Sequence, residues 1–305
     1  MTNKVKKLYG TGVALVTPFD KNKKIDYKAL EKLIAHVSQG KVEYMVVLGS
    51  TGEPATLNKE EKEEIIRCIK NTNKNNLPLI LTIGGNYTEK VIKQIRQTDL
   101  TDFEAILSVS PYYNRPTQEG IYRHFKALAE NTEANIILYN VPTRTGSNML
   151  PDTVIRLAHE FKNIIGIKEA SGNILQAYEI LRQKPENFSV ISGDDALALP
   201  ITLGGGDSVI SVVAQGIPEE FSEMIRLAHQ KKLKEAFYLY YKIFEITQLA
   251  FEEGNPTGIK ALLSTIGICK PYVRLPLVEA TEQLQQKIRS TYETQLAPIA
   301  PTTLC

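Results

Sequence analysis

Eight short runs of β-branched and apolar residues recur along this chain, each followed by a stretch with helical spacing, and no other property of the sequence narrows its fold so far. The runs are GVALVTP from Gly12, YMVVLGS from Tyr44, LILTIGG from Leu79, AILSVSP from Ala105, NIILYNV from Asn135, IIGIKEA from Ile164, FSVISGDD from Phe188 and DSVISVVAQ from Asp207. Their spacing of roughly 20 to 35 residues is the length of one strand-helix unit. Helix starts fall between them: Asn58 with Glu61 three residues on reads as a cap, and Pro151 suits a first helical turn. Eight such repeats predict an α/β fold of the (β/α)8 TIM-barrel type. A doubly wound sheet would place a glycine-rich phosphate loop after its first strand, where this chain reads FDKNKKID from Phe19. The Gly204-Gly205-Gly206 run precedes a strand and reads as a turn.

The chain has 305 residues, more than a barrel needs. Beyond Ala228 the strand signal stops, and segments such as KEAFYLYYKIFEITQLAF from Lys234 carry apolar and aromatic residues at helical spacing. The expected organisation is a catalytic barrel over residues 1–230 and a C-terminal helical domain over 231–305, its tyrosine stripe serving as core or subunit contact. The tail APIAPTTLC from Ala297 lacks an amphipathic pattern and is expected to pack loosely. Basic and acidic residues nearly cancel, 36 against 34, so neither nucleic acid nor a lipid surface is an expected partner. Cys68, Cys269 and Cys305 are widely spaced and odd in number, offering neither a disulfide framework nor a metal-ligand pattern, which suits a reducing cytoplasm. MTNKVKKLYG has no apolar stretch behind it, and no run approaches the ~18 apolar residues of a membrane span, so a soluble protein is expected.

In such barrels chemistry sits at the carboxyl ends of the strands. The sixth run carries Lys168 between Ile167 and Glu169. Burial costs an ammonium its hydration and favours the neutral, nucleophilic amine, which can attack a carbonyl carbon. The plainer reading is a lysine that reaches water or pairs with Glu169. Its companions decide the matter. The second run ends in Gly49-Ser50-Thr51-Gly52-Glu53, the fourth leads into Tyr112-Tyr113-Asn114-Arg115, and the fifth into Tyr139-Asn140-Val141-Pro142-Thr143-Arg144. Imine formation moves protons at the amine and at the departing hydroxyl, work for the phenol of Tyr139, with Ser50 and Tyr113 as a chain to solvent. Ser50 and Thr51, on a glycine-flanked turn, offer donors to the carboxylate of an α-keto acid, and the Arg144 fork matches a second acidic substrate.

Together GSTGE at 49–53, PYYNRPTQEG at 111–120, YNVPTRTG at 139–146, GIKEASG at 166–172 and SGDD at 192–195 closely resemble the dihydrodipicolinate synthase family, over a span from about Gly10 to the RLPL segment at 274–277. The resemblance implies a lyase, formally a hydro-lyase with a class I aldolase mechanism, that condenses pyruvate with L-aspartate 4-semialdehyde in lysine and diaminopimelate biosynthesis. It gives Lys168 the Schiff base with pyruvate and Tyr139 the proton transfers. Ser50 stands where the family commonly has threonine, so the relay Tyr139, Ser50, Tyr113 keeps its hydroxyl. Thr51 would bind the pyruvate carboxylate and Arg144 that of the semialdehyde, while the backbone around Gly193 and Ile210 would line the pocket. No metal or organic cofactor is implied. A homo-oligomer is, a dimer at least and commonly a tetramer, because the tyrosine equivalent to Tyr113 reaches into a neighbouring subunit's site.

Lys59, Lys62 and Lys90 fall where feedback-inhibited members carry histidines and a glutamate that hold L-lysine, although Ala55, Asn86 and Tyr112 remain compatible with that cleft. Like charges there oppose a ligand with two ammonium groups, so inhibition by L-lysine is expected to be weak or absent. The nearest rival activities are N-acetylneuraminate lyase and 2-keto-3-deoxy-sugar-acid aldolase, which share the GSTGE and GIK motifs but line the region of Arg144 for hydroxyls. A non-catalytic ligand-binding barrel is the alternative from another class.

Overall fold

The structure, a computed structural model, describes residues 8–296. The APIAPTTLC tail and Cys305 lie outside the described residues. Eight parallel strands close in sequence order into one barrel: β1 (Gly10–Ala14), β2 (Tyr44–Val47), β3 (Leu79–Thr82), β4 (Ala105–Val109), β5 (Ile136–Asn140), β6 (Ile164–Glu169), β7 (Ser189–Ser192) and β8 (Ser208–Ser211), with β8 pairing back onto β1. Each run singled out in the sequence supplies one strand, the first beginning two residues earlier than its apolar signal, at Gly10.

A helix follows every strand: α1 (Tyr27–Gln39), α2 (Lys59–Thr72), α3 (Thr88–Gln97), α4 (Gln118–Glu130), α5 (Pro151–Glu160), α6 (Ile174–Gln183), α7 (Ala198–Leu203) and α8 (Pro218–His229). Their starts are built from local chemistry. Asn58 and Glu61 close a reciprocal capping box on α2, and Pro151 and Pro218 open α5 and α8, where a missing N–H costs nothing. Four more helices follow α8, namely α9 (Leu233–Lys242), α10 (Phe244–Glu252), α11 (Thr257–Thr265) and α12 (Glu282–Gln295), and a single helical turn at Pro142–Thr145 carries Arg144 after β5. The tyrosine stripe on α9 does not enter the core of this chain. Tyr238 and Tyr241 are exposed, and Tyr240 is the one that turns inward, donating to the carbonyl of Ala196 at 3.0 Å.

Both faces of the barrel strands are buried, which is why the runs read as continuously apolar rather than alternating. Val46, Ile80, Leu107, Ile137, Ile191 and Ile210 fill the interior, while Val47, Leu81, Ile106, Leu138 and Ile167 pack outward against the helices. Tyr44 plugs the amino-terminal end. Its hydroxyl lies 2.7 Å from Ser208 Oγ and 3.1 Å from the Val209 carbonyl, and its ring takes the space a side chain at Gly12 would need, since a Cβ there would sit 2.1 Å from a ring carbon.

A register shift between β5 and β6 matters for the opposite end. Ile136 pairs with Ile164 but Ile137 pairs with Gly166, so Ile165 is an extra residue in β6. Beyond that bulge Ile167 joins the outer layer, and Lys168 stands beside Tyr139 of β5 and Ile191 of β7.

The C-terminal helices are tied to the barrel by ion pairs. Lys260 of α11 is fully buried, with its ammonium 2.6 Å from the Glu53 carboxylate, 2.8 Å from the Tyr272 carbonyl and 4.2 Å from the centroid of the Phe19 ring. Burial holds this lysine below its ordinary pKa, against the pull of Glu53. Arg274 adds a forked pair to Glu61, and its backbone N–H donates to Glu53 at 3.0 Å. Among the described residues no helix is long and apolar enough to cross a membrane.

Candidate active site

At the carboxyl ends of the strands a cavity of about 380 Å3 opens, with Ser50, Thr51, Tyr139, Arg144, Lys168 and Gly193 in its lining. Lys168 is 6% exposed, and its Nζ lies 4.5 Å from the centroid of the Tyr139 ring. Pairing with Glu169 is ruled out by what that carboxylate touches: Asn140 and Gln176 each donate to its Oε2 at 3.0 Å, and the Ser171 N–H to its Oε1 at 2.7 Å. Successive residues on a strand point to opposite faces, so the acid faces the helices while the amine faces the cavity. Among the described residues Lys168 has neither a hydrogen-bond nor an ion-pair partner. Gly193, just past β7, leaves it room: a Cβ there would lie 3.0 Å from both Cγ and Cε of Lys168 and 2.6 Å from the Ala170 Cβ.

Ser50 and Thr51 form a single 3₁₀ turn after β2. Two non-glycine residues in the left-handed region flank it, Leu48 at φ 57° and Glu53 at φ 54°. Such conformations cost about 1–3 kcal/mol each and persist only where the surroundings fix them. Here the Glu53 side chain is fixed by Lys260 and the Arg274 N–H, so the C-terminal helices hold the donor turn in shape.

A second tie escaped the sequence reading. Asn255, between α10 and α11, donates its side-chain amide to Thr51 Oγ1 at 3.0 Å, and its carbonyl accepts from Arg144 Nη2 at 3.0 Å. One residue therefore aims both groups proposed for carboxylates. Its only sequence signal is the turn tripeptide Gly254-Asn255-Pro256 in a helical stretch. Asp195 of the SGDD motif also lines the cavity. Its carboxylate accepts from the N–H groups of Val212 (3.0 Å) and Val213 (3.2 Å) at the end of β8, and burial, opposed by the Ser211 hydroxyl and those amides, pushes its pKa up to about 6.

Other expected residues stand apart. Tyr113 is 90% exposed on the loop after β4, and within one chain no hydrogen bond links it to Ser50 or Tyr139. Ile210 is buried in the barrel interior and is not part of the cavity wall. A larger cavity of about 600 Å3 adjoins the first, sharing Ser50, Tyr139, Val141, Arg144 and Asn255, and extends to Ala55, Lys62, Asn86, Lys90 and Tyr112. Lys59 lies outside it, its side chain 83% exposed and 3.8 Å from Glu63.

An uncompensated amine, a phenol beside it, a donor turn and a guanidinium at one mouth suit the capture of a small carbonyl compound that carries a carboxylate. Among the described residues no cluster of three or more His, Cys, Asp and Glu side chains could hold a metal ion.

Residues 7–295 match the family model described as the dihydrodipicolinate synthetase family. The 4-hydroxy-tetrahydrodipicolinate synthase of Flavobacterium psychrophilum is 53% identical over 279 residues, 92% of this chain and 95% of that protein. A solved structure characterised as a monomeric dihydrodipicolinate synthase variant is similar at a TM-score of 0.92 and 35% identity, covering 95% of this chain and 98% of that one. The dihydrodipicolinate synthase of Cyanidioschyzon merolae, solved with lysine bound, gives a TM-score of 0.88 at 36% identity over 94% of this chain and 98% of its own.

Proposed function

The chain belongs to the dihydrodipicolinate synthetase family, and on that premise we propose how its barrel mouth forms 4-hydroxy-tetrahydrodipicolinate from pyruvate and L-aspartate 4-semialdehyde. It is a lyase that works through a Schiff base. The Lys168 amine attacks the ketone carbon of pyruvate, and the carbinolamine loses water to give the imine. Loss of a methyl proton yields an enamine, whose carbon adds to the aldehyde of the second substrate. The amino group of that substrate then displaces Lys168 from the former ketone carbon, closing the ring and returning the lysine free.

Tyr139 shuttles these protons in this reading, which its position beside Lys168 in the lining of the same cavity supports. Thr51 and the N–H groups of its turn take the pyruvate carboxylate, and Arg144 the carboxylate of the semialdehyde. Ser50 passes protons onward, and the exposed Tyr113 completes the chain in the mouth of a partner subunit, which makes the working enzyme a dimer at least and, on the family pattern, a tetramer. A cytoplasmic setting fits the same reading. So does weak inhibition by L-lysine, whose ammonium groups would meet Lys62 and Lys90; an inhibition constant in the low micromolar range would refute that part.

The observation that carries the proposal is Lys168 itself, a buried amine with no acid partner among the described residues, facing a cavity lined by groups that can donate to a carboxylate. Borohydride reduction in the presence of pyruvate is expected to add one reduced pyruvyl group, mapped to Lys168 by peptide mass. An unchanged mass, or a label on another amine, overturns the assignment. A coupled assay with dihydrodipicolinate reductase separates this activity from that of a sugar-acid lyase.

A further inference from the structure

Behind the wall that carries Lys168 lies a polar network whose members Glu169, Asn140, Asn148 and Gln176 line neither cavity. Its centre is the Glu169 carboxylate, buried at 3% exposure. Asn140 and Gln176 share its Oε2, and the Ser171 N–H takes its Oε1. All three partners are neutral N–H donors, the set that suits an ionised carboxylate, since a protonated one would also need an acceptor. The network runs on from there. Asn140 also donates to Asn148 Oδ1 at 2.8 Å and accepts from the Met149 N–H at 2.9 Å, while Asn148 donates to Gln176 Oε1 at 2.8 Å. Gln118, at the start of α4, donates to the Asn148 carbonyl at 2.8 Å and closes the network from outside.

These contacts end beside the groups of the site. Asn140 follows Tyr139 on β5 and Glu169 follows Lys168 on β6, and the pairs are in register, Tyr139 opposite Lys168 and Asn140 opposite Glu169. The bond from Asn140 to Glu169 therefore ties the two strand ends one residue beyond the phenol and the amine. Ser171 is part of the cavity lining, and the Glu169 carbonyl accepts at 2.7 Å from the N–H of Gly193, the glycine against which Lys168 lies. Asn148 and Met149 close the loop that carries Arg144. A buried carboxylate without a cation is costly, and an apolar filling of the same space would hold helix against strand as well. What the charge adds is hydrogen bonds that are shorter and stronger than neutral ones, and in a satisfied network such bonds fix positions tightly.

We propose that Glu169 is a positioning residue for imine formation: through Asn140, Gln176 and the Ser171 N–H, its carboxylate holds the ends of β5 and β6 so that the Lys168 amine keeps its place beside the Tyr139 ring. Glu169 acts through these neighbours and touches neither reactant. The proposal rests on the Schiff-base reading of Lys168 and adds a geometric requirement to it. A misplacement of about 1 Å between reacting groups costs on the order of a hundredfold in rate.

Glu169→Gln in the full chain keeps the volume and removes the charge. One acceptor goes with it, because the new amide can serve Asn140 and Gln176 through its oxygen but then turns an NH2 toward the Ser171 N–H. Rapid-quench borohydride trapping with pyruvate alone reads imine formation before Arg144 has any part in the reaction. In the variant that rate is expected to fall by about ten- to a hundredfold with the label still on Lys168. KM for pyruvate is expected to stay within about twofold, because Thr51 is held separately by Asn255. The melting temperature is expected to stay at or above that of the parent, since a buried charge without a counter-charge has been removed. Rates are compared per folded molecule, well below the melt, so that a role in stability alone leaves them unmoved. A parental rate overturns the proposal whatever the melt does, and so does a loss that lies wholly in KM. Gln176→Met removes one donor from the helix side and is expected to slow the same step severalfold; it is read by the same criteria should Glu169→Gln not fold. If the parent itself takes no label on Lys168, the catalytic reading fails, whereas a labelled parent with an equally fast variant removes the role of Glu169 alone.

Discussion

Two parts of this molecule bury charge in opposite ways. Where the C-terminal helices meet the barrel, charges are matched: buried Lys260 with Glu53, and half-buried Arg274 with Glu61. At the barrel mouth the buried charges stand without an opposite partner. Among the described residues Lys168 lies over the face of the Tyr139 ring with no acid partner, and Asp195 has backbone amides and the Ser211 hydroxyl but no cation. Both lysines are buried and both lie over an aromatic ring, 4.2 Å from Phe19 for one and 4.5 Å from Tyr139 for the other, so burial and ring contact do not distinguish a structural lysine from a reactive one. The carboxylate does. An ammonium locked to an acid and a carbonyl has its donors spent, whereas one that faces a cavity can give up a proton and attack.

The largest expected effect separates the two lysines by function. Lys168→Ala is expected to abolish covalent capture of pyruvate and the condensation with it while leaving the fold intact, because deleting an unpaired buried amine relieves desolvation. Mass analysis after borohydride and a thermal melt check both halves, and condensation at the parental rate would break the comparison. Lys260→Ala is expected to do the reverse, costing about 3–5 kcal/mol of stability by stranding the Glu53 carboxylate, as read by urea unfolding. Adding Glu53→Gln is expected to recover part of that loss. A third test concerns the acids. The Asp195 pKa is raised in the folded chain, so between about pH 4 and about pH 6 the native state holds a proton that the unfolded chain has released. Stability relative to Asp195→Asn is therefore expected to fall as pH rises through that window, then level off; a flat difference would mean that Asp195 is compensated after all. The smallest effect belongs to the link between the regions. Asn255→Ala loses one hydrogen bond to Thr51 and is expected to raise KM for both substrates by severalfold, about 1 kcal/mol each, with kcat changed less.

Much of the site was legible because its signals are local. Strands declare themselves by short apolar runs, and their carboxyl ends are known from chain direction alone, so the sequence by itself puts Lys168, Tyr139, Thr51 and Arg144 on one rim. What pairs with what was not legible. Glu169 follows Lys168 in sequence and is the obvious partner, yet strand geometry sends it to the other face, and the bulge at Ile165 that sets the phase of β6 leaves no mark in composition. The bonds that hold the donor turn, Asn255 to Thr51 and Lys260 to Glu53, span 204 and 207 residues, beyond any periodic pattern. Nor could the α9 stripe declare which of its tyrosines turns inward, because helical spacing gives a face and not its neighbour.

The tyrosine that fills the lower end of the barrel makes the protein a vessel with one opening. With Tyr44 wedged against Gly12 and anchored beside Ser208, nothing passes through the barrel axis, so reactants, product and the expelled water share a single doorway. Traffic through one doorway has an order. On the roles proposed for Lys168 and Arg144, the reactant joined to the amine must arrive ahead of the one greeted at the guanidinium, and the ring-closed product must depart before the next turnover begins.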